Sequence, residues 1–390
     1  MAKKSSTRKR TTKAARPGDD VTKSPRLPTP GAIGLDQVLG QPRAVSVVQR
    51  ALDSGRVHHA WLLHGPAGVG KFTTALAMAG VLLDPEAGPD LAGRFAADPE
   101  SRVQKLVRGG GHPELQVIRK ELSAFHPNPD ERKSKQRGIS KRVTEHFLIE
   151  PAAKTASLPG GLAGKVFIVD EADLMNTASQ NAILKTLEEP PEGTVLFLVT
   201  SSEDRLLPTI RSRCQRVGFG PLDEGSMRRW LVASKLPIEP REEAWLLGFA
   251  AGSPGVLQSA HESRLYDWWN QLEPMLDDAA GGRAPAALGS VMAGLVDSWS
   301  SEWVKGGEKG LEVRSKESAN RAGMRRMLSL VGYHAQRRMP DERSQAWAVQ
   351  AVQAIGRAES LAARQVQAAF ALEGLAGDLA VPPMGDLASV

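Results

Sequence analysis

Seven residues, Gly65-Pro66-Ala67-Gly68-Val69-Gly70-Lys71, constrain this chain more than any other feature. They follow the short apolar run Trp61-Leu62-Leu63-His64 and precede the helical stretch Phe72–Leu83, so that a buried strand turns through glycines directly into a helix. Backbone N–H groups in such a turn can point at phosphate oxygens, the helix N-terminus adds partial positive charge, and Lys71 can reach terminal phosphates. Further short apolar runs lie at Leu115–Ile118, Val166–Val169, Val195–Thr200 and Cys214–Phe219, separated by helical stretches such as Thr177–Glu189. Strands alternating with helices predict a parallel sheet covered on both faces. A helix is also expected over Pro42–Leu52, with proline near its start.

The loop carries a defect. Loops of this type place Ser or Thr directly after the lysine, because its hydroxyl binds magnesium, and here that position is Phe72. Thr73 supplies the next hydroxyl, but on a helix of 3.6 residues per turn it points about 100° away. About a hundred residues later, Lys165–Val169 reads as a buried strand ending in Asp170 and Glu171. In phosphoryl-transfer enzymes these two positions hold magnesium through water and orient the attacking water. The loop is therefore expected to bind ATP more readily than it hydrolyses it, with Mg2+ present only when nucleotide is bound. The nucleotide-contacting candidates are Gly65 to Lys71, Thr73 and Thr200; the catalytic candidates are Asp170 and Glu171.

The segments Ala178-Ser179-Gln180-Asn181-Ala182-Ile183-Leu184-Lys185-Thr186-Leu187-Glu188-Glu189-Pro190-Pro191 and Ser212-Arg213-Cys214 resemble the clamp-loader branch of the AAA+ ATPases. The first is similar to that branch's NALLK-x-LEEP signature and the second to its SRC motif. The resemblance implies that Arg213 reaches across a subunit boundary to the gamma-phosphate of ATP bound next door, a task that suits a permanently charged, forked side chain. It also implies that Thr200 senses nucleotide and that Gly40-Gln41 lies near the adenine. Where motor subunits carry a sensor arginine, this chain has Gly255, and Gly111–Leu115 is similar to the GHPDL segment of the delta-prime type. The resemblance thus implies a delta-prime-type stator of the DNA polymerase III clamp loader. Such a subunit forms a ring with motor (gamma/tau) and delta subunits and acts on a sliding clamp and primed DNA. The alternative is a weakly ATP-hydrolysing motor of the gamma/tau type. Relatives carry a four-cysteine zinc module after the first helix; this chain has no cysteine there but the charged stretch Arg119–Arg142, read as an insertion of loop and helix character, and no zinc is expected.

Charge refines the partners. The chain of 390 residues has a net charge of +6, yet residues 1–30 hold nine Lys/Arg against Asp19 and Asp20, leaving the remainder at −1. Bulk charge on the folded part therefore does not signal nucleic acid, whereas the first thirty residues read as a disordered basic tail. A DNA-binding accessory role through that tail is a third reading. Residues 31–220 are expected to form a P-loop AAA+ domain, 221–264 a small helical lid, and 265–390 an all-α collar, with a loop at Asp277–Pro285 and a closing helix at Gln365–Glu373. The single cysteine, Cys214, reads as a core thiol. No run approaches the ~20 apolar residues that cross a bilayer, and the N-terminus lacks the apolar segment of a secretion signal. A cytoplasmic protein with no membrane partner is expected.

Overall fold

The structure is a computed structural model that describes residues 34–133, 138–306, 315–342, 344–364 and 366–381. The basic tail 1–30 lies outside them, as do residues 134–137 of the charged stretch. The chain divides into two compact units, one of Met1–Gln37, Val45–His64 and Phe72–Gly218, the other of Val38–Ala44, Gly65–Lys71 and Phe219–Val390.

The first unit is built on a five-stranded parallel sheet. Its strands are β1 (Ala60–His64), β2 (Leu115–Ile118), β3 (Lys165–Val169), β4 (Thr194–Thr200) and β5 (Gln215–Gly218). The spatial order is β2-β3-β4-β1-β5. Strands β3 and β4 are buried along their whole length, as continuous apolar runs inside a doubly covered sheet must be. Register is explicit: Val166 to Val169 of β3 pair with Leu115 to Ile118 of β2 on one side and with Val195 to Leu198 of β4 on the other.

Helix α1 (Pro42–Asp53) buries Ala44, Val48 and Leu52 at four-residue steps, and α2 (Lys71–Leu83) buries nearly all of its apolar length. In α3 (Thr177–Glu188) the Asn176 side chain caps the first turn by accepting from the Ser179 amide at 2.8 Å. The described residues of the stretch 119–142, read as an insertion of loop and helix character, also contribute to the core. Leu122 and Ile139 join the buried core with Phe147, Phe167 and Leu198, because the turns after β2 fold back against the sheet.

The second unit is helical. Helices α4 (Glu224–Ser234), α5 (Pro240–Ala250) and α6 (Pro254–Glu262) are followed by α7 (Leu265–Ala280), α8 (Leu288–Lys305), α9 (Lys316–Arg338), α10 (Gln345–Ala363) and α11 (Ala368–Ala380). Two expectations need correction. Asp277 belongs to α7 rather than to a loop, because it faces His334 and Arg338 of α9, with His334 Nε2 at 2.7 Å. The closing helix starts at Ala368, three residues later than Gln365, with Gln367 at its N-cap. Burial holds His334 below the ordinary histidine value, partly opposed by its bond to Asp277, so that neutral His334 donates to the Asp277 carboxylate. Trp347 of α10 is fully enclosed and donates its indole N–H to the Leu379 carbonyl of α11 at 3.0 Å. Among the described residues no helix is long and apolar enough to cross a membrane.

Phe197, wholly buried in β4, stacks with Trp61 of β1 at a centroid separation of 6.4 Å. Phe197→Ala is expected to lower unfolding stability by about 3–5 kcal/mol, read as a shifted denaturant midpoint with unchanged far-ultraviolet circular dichroism.

Candidate functional site

The loop Gly65–Lys71 belongs to the second unit, and its shape rests on three glycines at positive φ: Gly65 at 136°, Gly68 at 73° and Gly70 at 99°. A side chain at Gly65 would strike the Phe219 carbonyl at 2.2 Å, whereas Gly70 has open space around it and needs glycine for its backbone angle alone. Lys71 is buried, and its ammonium donates to the Gly65 carbonyl at 2.7 Å and to that of Pro66. Gln41 braces the loop from the other side, its amide donating to Val69 O at 3.2 Å and Gly220 O at 2.7 Å.

The start of α6 closes over this loop. Ser253 Oγ donates to the Ala67 carbonyl at 2.8 Å, and the Gly255 amide donates to the Gly68 carbonyl at 2.9 Å. A Cβ on Gly255 would come within 2.7 Å of Gly68 Cα. Glycine at 255 therefore does more than omit an arginine: it lets two backbones touch.

The other candidates lie in the first unit. Strand β3 ends at Val169; the next residue, Asp170, donates its amide to Ile118 O at 3.0 Å, and Glu171 follows in the left-handed region at φ 53°. Because Ile118 pairs with Val169, the next residues of the two strands also fall side by side. Arg119 Nε donates to Asp170 Oδ2 at 3.0 Å, and Lys120 Nζ to Glu171 Oε2 at 2.8 Å. The Arg119 guanidinium also lies over the Phe72 ring, 4.7 Å from its centroid. Burial pushes the Asp170 carboxyl above the usual carboxylate range, and Arg119 beside it pulls it back only in part.

These residues do not fit a magnesium ion. The hydroxyl position holds an aromatic ring, the metal-facing carboxylate is paired with a guanidinium, and the second carboxylate is paired with an ammonium. Magnesium keeps several waters and needs an accessible carboxylate to bind through them. Thr73 lies in the first turn of α2, one residue beyond the Phe72 contact. Thr200, buried at the end of β4, gives its hydroxyl to Asp173 Oδ1 at 2.7 Å.

Arg213 is positioned by the chain of residues that precedes it. Gln180 of α3 donates to Met175 O at 3.0 Å and Arg205 O at 3.1 Å, and accepts from the Leu207 amide at 2.8 Å. That clamp fixes the short helix Pro208–Arg211, anchored by fully buried Ile210, and Arg213 follows directly. Its side chain, 35% exposed, pairs with Glu188 at 2.6 Å and donates to Thr209 O at 2.9 Å. Cys214 packs half-buried against the core, and burial pushes its thiol up to about 12, which makes it unreactive. His112 is buried, and its Nδ1 accepts from the Glu114 amide at 3.3 Å.

Arg119 and Lys120 escaped sequence reading because their importance depends on β2 lying beside β3. A pair of cations immediately after a strand was the available signal, but the charged stretch around them concealed it.

A parallel sheet in the order β2-β3-β4-β1-β5, with a GxxxxGK loop between β1 and α2, defines a P-loop protein of the AAA+ class. A family model described as DNA polymerase III, delta subunit matches residues 40–223. The DNA polymerase III subunit delta-prime of Pseudomonas aeruginosa is 31% identical over 280 residues, covering 70% of this chain and 79% of that protein. The DNA polymerase III subunit gamma/tau of Mycobacterium tuberculosis is 32% identical over 200 residues, covering 50% of this chain and 30% of that protein. A solved DNA polymerase III gamma subunit-related protein of Thermotoga maritima is 15% identical, with a TM-score of 0.36 over 86% of this chain and 98% of that one. The chain belongs to the family of DNA polymerase III delta-prime subunits.

Gly255→Ala is expected to force α6 off the loop, costing about 1–3 kcal/mol as an overpacking substitution. Hydrogen exchange should report it as faster exchange of the Gly255 amide together with a lowered unfolding midpoint.

Proposed function

We propose that this chain is a stator of the DNA polymerase III clamp loader, assembling with gamma/tau motor subunits and a delta subunit and lending Arg213 to ATP held by a neighbour. The observation that carries the reading is an asymmetry. Arg213 is preserved on a clamped turn with a partly exposed guanidinium, while the chain's own carboxylates are neutralised and its loop is capped. The Arg213–Glu188 pair is partly exposed, and pairs of that kind contribute only about 0–1 kcal/mol. Exchange of Glu188 for a phosphate oxygen, which an arginine binds as a fork, is therefore inexpensive.

In this reading residues 31–220 form the P-loop domain, 221–264 the lid and 265–390 the collar through which the ring assembles. The assembly works in the cytoplasm, placing a sliding clamp on primed DNA. ATP binds the loop of this subunit without being turned over, Lys71 leaving the Gly65 carbonyl to meet phosphate. Thr73 and Thr200 complete the nucleotide contacts, and Asp170 and Glu171 serve as paired carboxylates rather than as catalysts. A weakly active motor is the second reading, favoured by the positive-φ glycines that keep the loop's phosphate-binding shape.

The test is ATP turnover by the purified chain, alone and mixed with its gamma/tau subunit, for wild type and Arg213→Ala. The expected result is negligible turnover alone, and a mixture whose activity falls about tenfold or more in Arg213→Ala, since a trans-acting arginine contributes orders of magnitude to kcat. Turnover by the isolated chain that requires Lys71 and ignores Arg213 would mean that it is a motor.

A further inference from the structure

We propose that Arg119 and Lys120 are resident counter-cations that take the place of the divalent metal at the end of β3, so that this P-loop protein excludes magnesium from Asp170 and Glu171. The strand register sets the arrangement. Parallel pairing of Ile118 with Val169 carries forward one residue at a time, setting Arg119 on Asp170 and Lys120 on Glu171 with the same separation of 51 residues in sequence. Each carboxylate thus meets one cation at hydrogen-bonding distance, 3.0 and 2.8 Å.

Phe72 is part of the same device. A hydroxyl at that position could accept one guanidinium N–H but would offer the group no flat face to lie against. An aromatic ring instead receives the guanidinium face, at 4.7 Å, while the edge of the same group bonds Asp170. Arginine is the residue that can do both at once. The ring that stands where the metal-binding hydroxyl would be is thus also the seat of the Arg119 guanidinium.

Access strengthens the exclusion. The Arg119 and Asp170 side chains are only 19% and 20% exposed, so a hydrated metal would have to displace the guanidinium from Asp170 in a mostly enclosed place. Lys120 and Glu171 are more open, 27% and 52% exposed, and guard the outer edge. The exclusion concerns the strand end alone and holds whatever Arg213 does.

The experiment titrates Mn2+ into the full-length protein and follows free Mn2+ by electron paramagnetic resonance, with thermal unfolding of each variant as the folding control. Wild type and Asp170→Asn are expected to give superimposable titrations, because Asp170 does not serve as a ligand. The double variant Arg119→Gln/Lys120→Gln is expected to bind Mn2+ at least about tenfold more tightly than wild type, since two adjacent charges have been removed. Adding Asp170→Asn to it should abolish that gain, while Arg119→Lys, which keeps the charge, should behave like wild type. Two results would overturn the proposal: weaker Mn2+ binding by Asp170→Asn than by wild type, or a folded double variant that binds no more Mn2+ than wild type. If the double variant fails to fold, the comparison of wild type with Asp170→Asn decides alone.

Discussion

Parallel pairing between β2 and β3 is the constraint on which the chemistry of this molecule turns. In a parallel sheet the strands end on the same edge, and residues that follow paired positions remain neighbours beyond the last ladder bond. Here the pairing of Ile118 with Val169 places two cations against two carboxylates. An antiparallel or shifted pairing would separate them: a slip of one residue would turn every β2 side chain to the opposite face and move Arg119 away from Asp170.

Two forces compete at Asp170, and their balance explains its state. Burial disfavours the carboxylate and raises its proton affinity, while the Arg119 guanidinium favours the ionised form. Arginine remains charged throughout the physiological range, so it can hold an ionised partner where a weaker base could not. The aromatic seat of Phe72 reduces the cost of desolvating that guanidinium by offering it a π face. The same three residues, read separately, are a missing ligand, the first residue of a charged stretch and a magnesium-holding carboxylate; together they form one charge arrangement.

The loop Gly65–Lys71 follows a different logic. Its positive-φ glycines give it the geometry of an anion site, and in this structure its own chain supplies the partners. Lys71 donates to the loop's own carbonyls, Ser253 donates to Ala67 O, and the Gly255 amide donates to Gly68 O. These bonds fall on the loop's carbonyls and hold its shape from that side. Glycine at 255 is what permits the close approach, because any side chain there would meet the backbone at Gly68.

Sequence alone determined the elements and the local chemistry. The three central strands, β3, β4 and β1, were legible as apolar runs, since a doubly covered parallel strand must be apolar on both faces, whereas the edge strand β5 is mostly exposed and only its Val217 is buried. The loop was legible because its geometry requires glycine at specific φ angles, and Arg213 because Ser212-Arg213-Cys214 resembles the SRC motif of the clamp-loader ATPases. Tertiary structure alone decided what the carboxylates face. Arg119 and Asp170 are 51 residues apart, and nothing local to either of them encodes which strand lies beside β3. It likewise decided that Asp277 sits within a helix, because composition at 277–285 suggested a loop while His334 and Arg338 across the bundle draw the helix onward. Local propensity is carried by neighbours in sequence, whereas charge compensation is carried by neighbours in space, and only folding makes those two sets coincide.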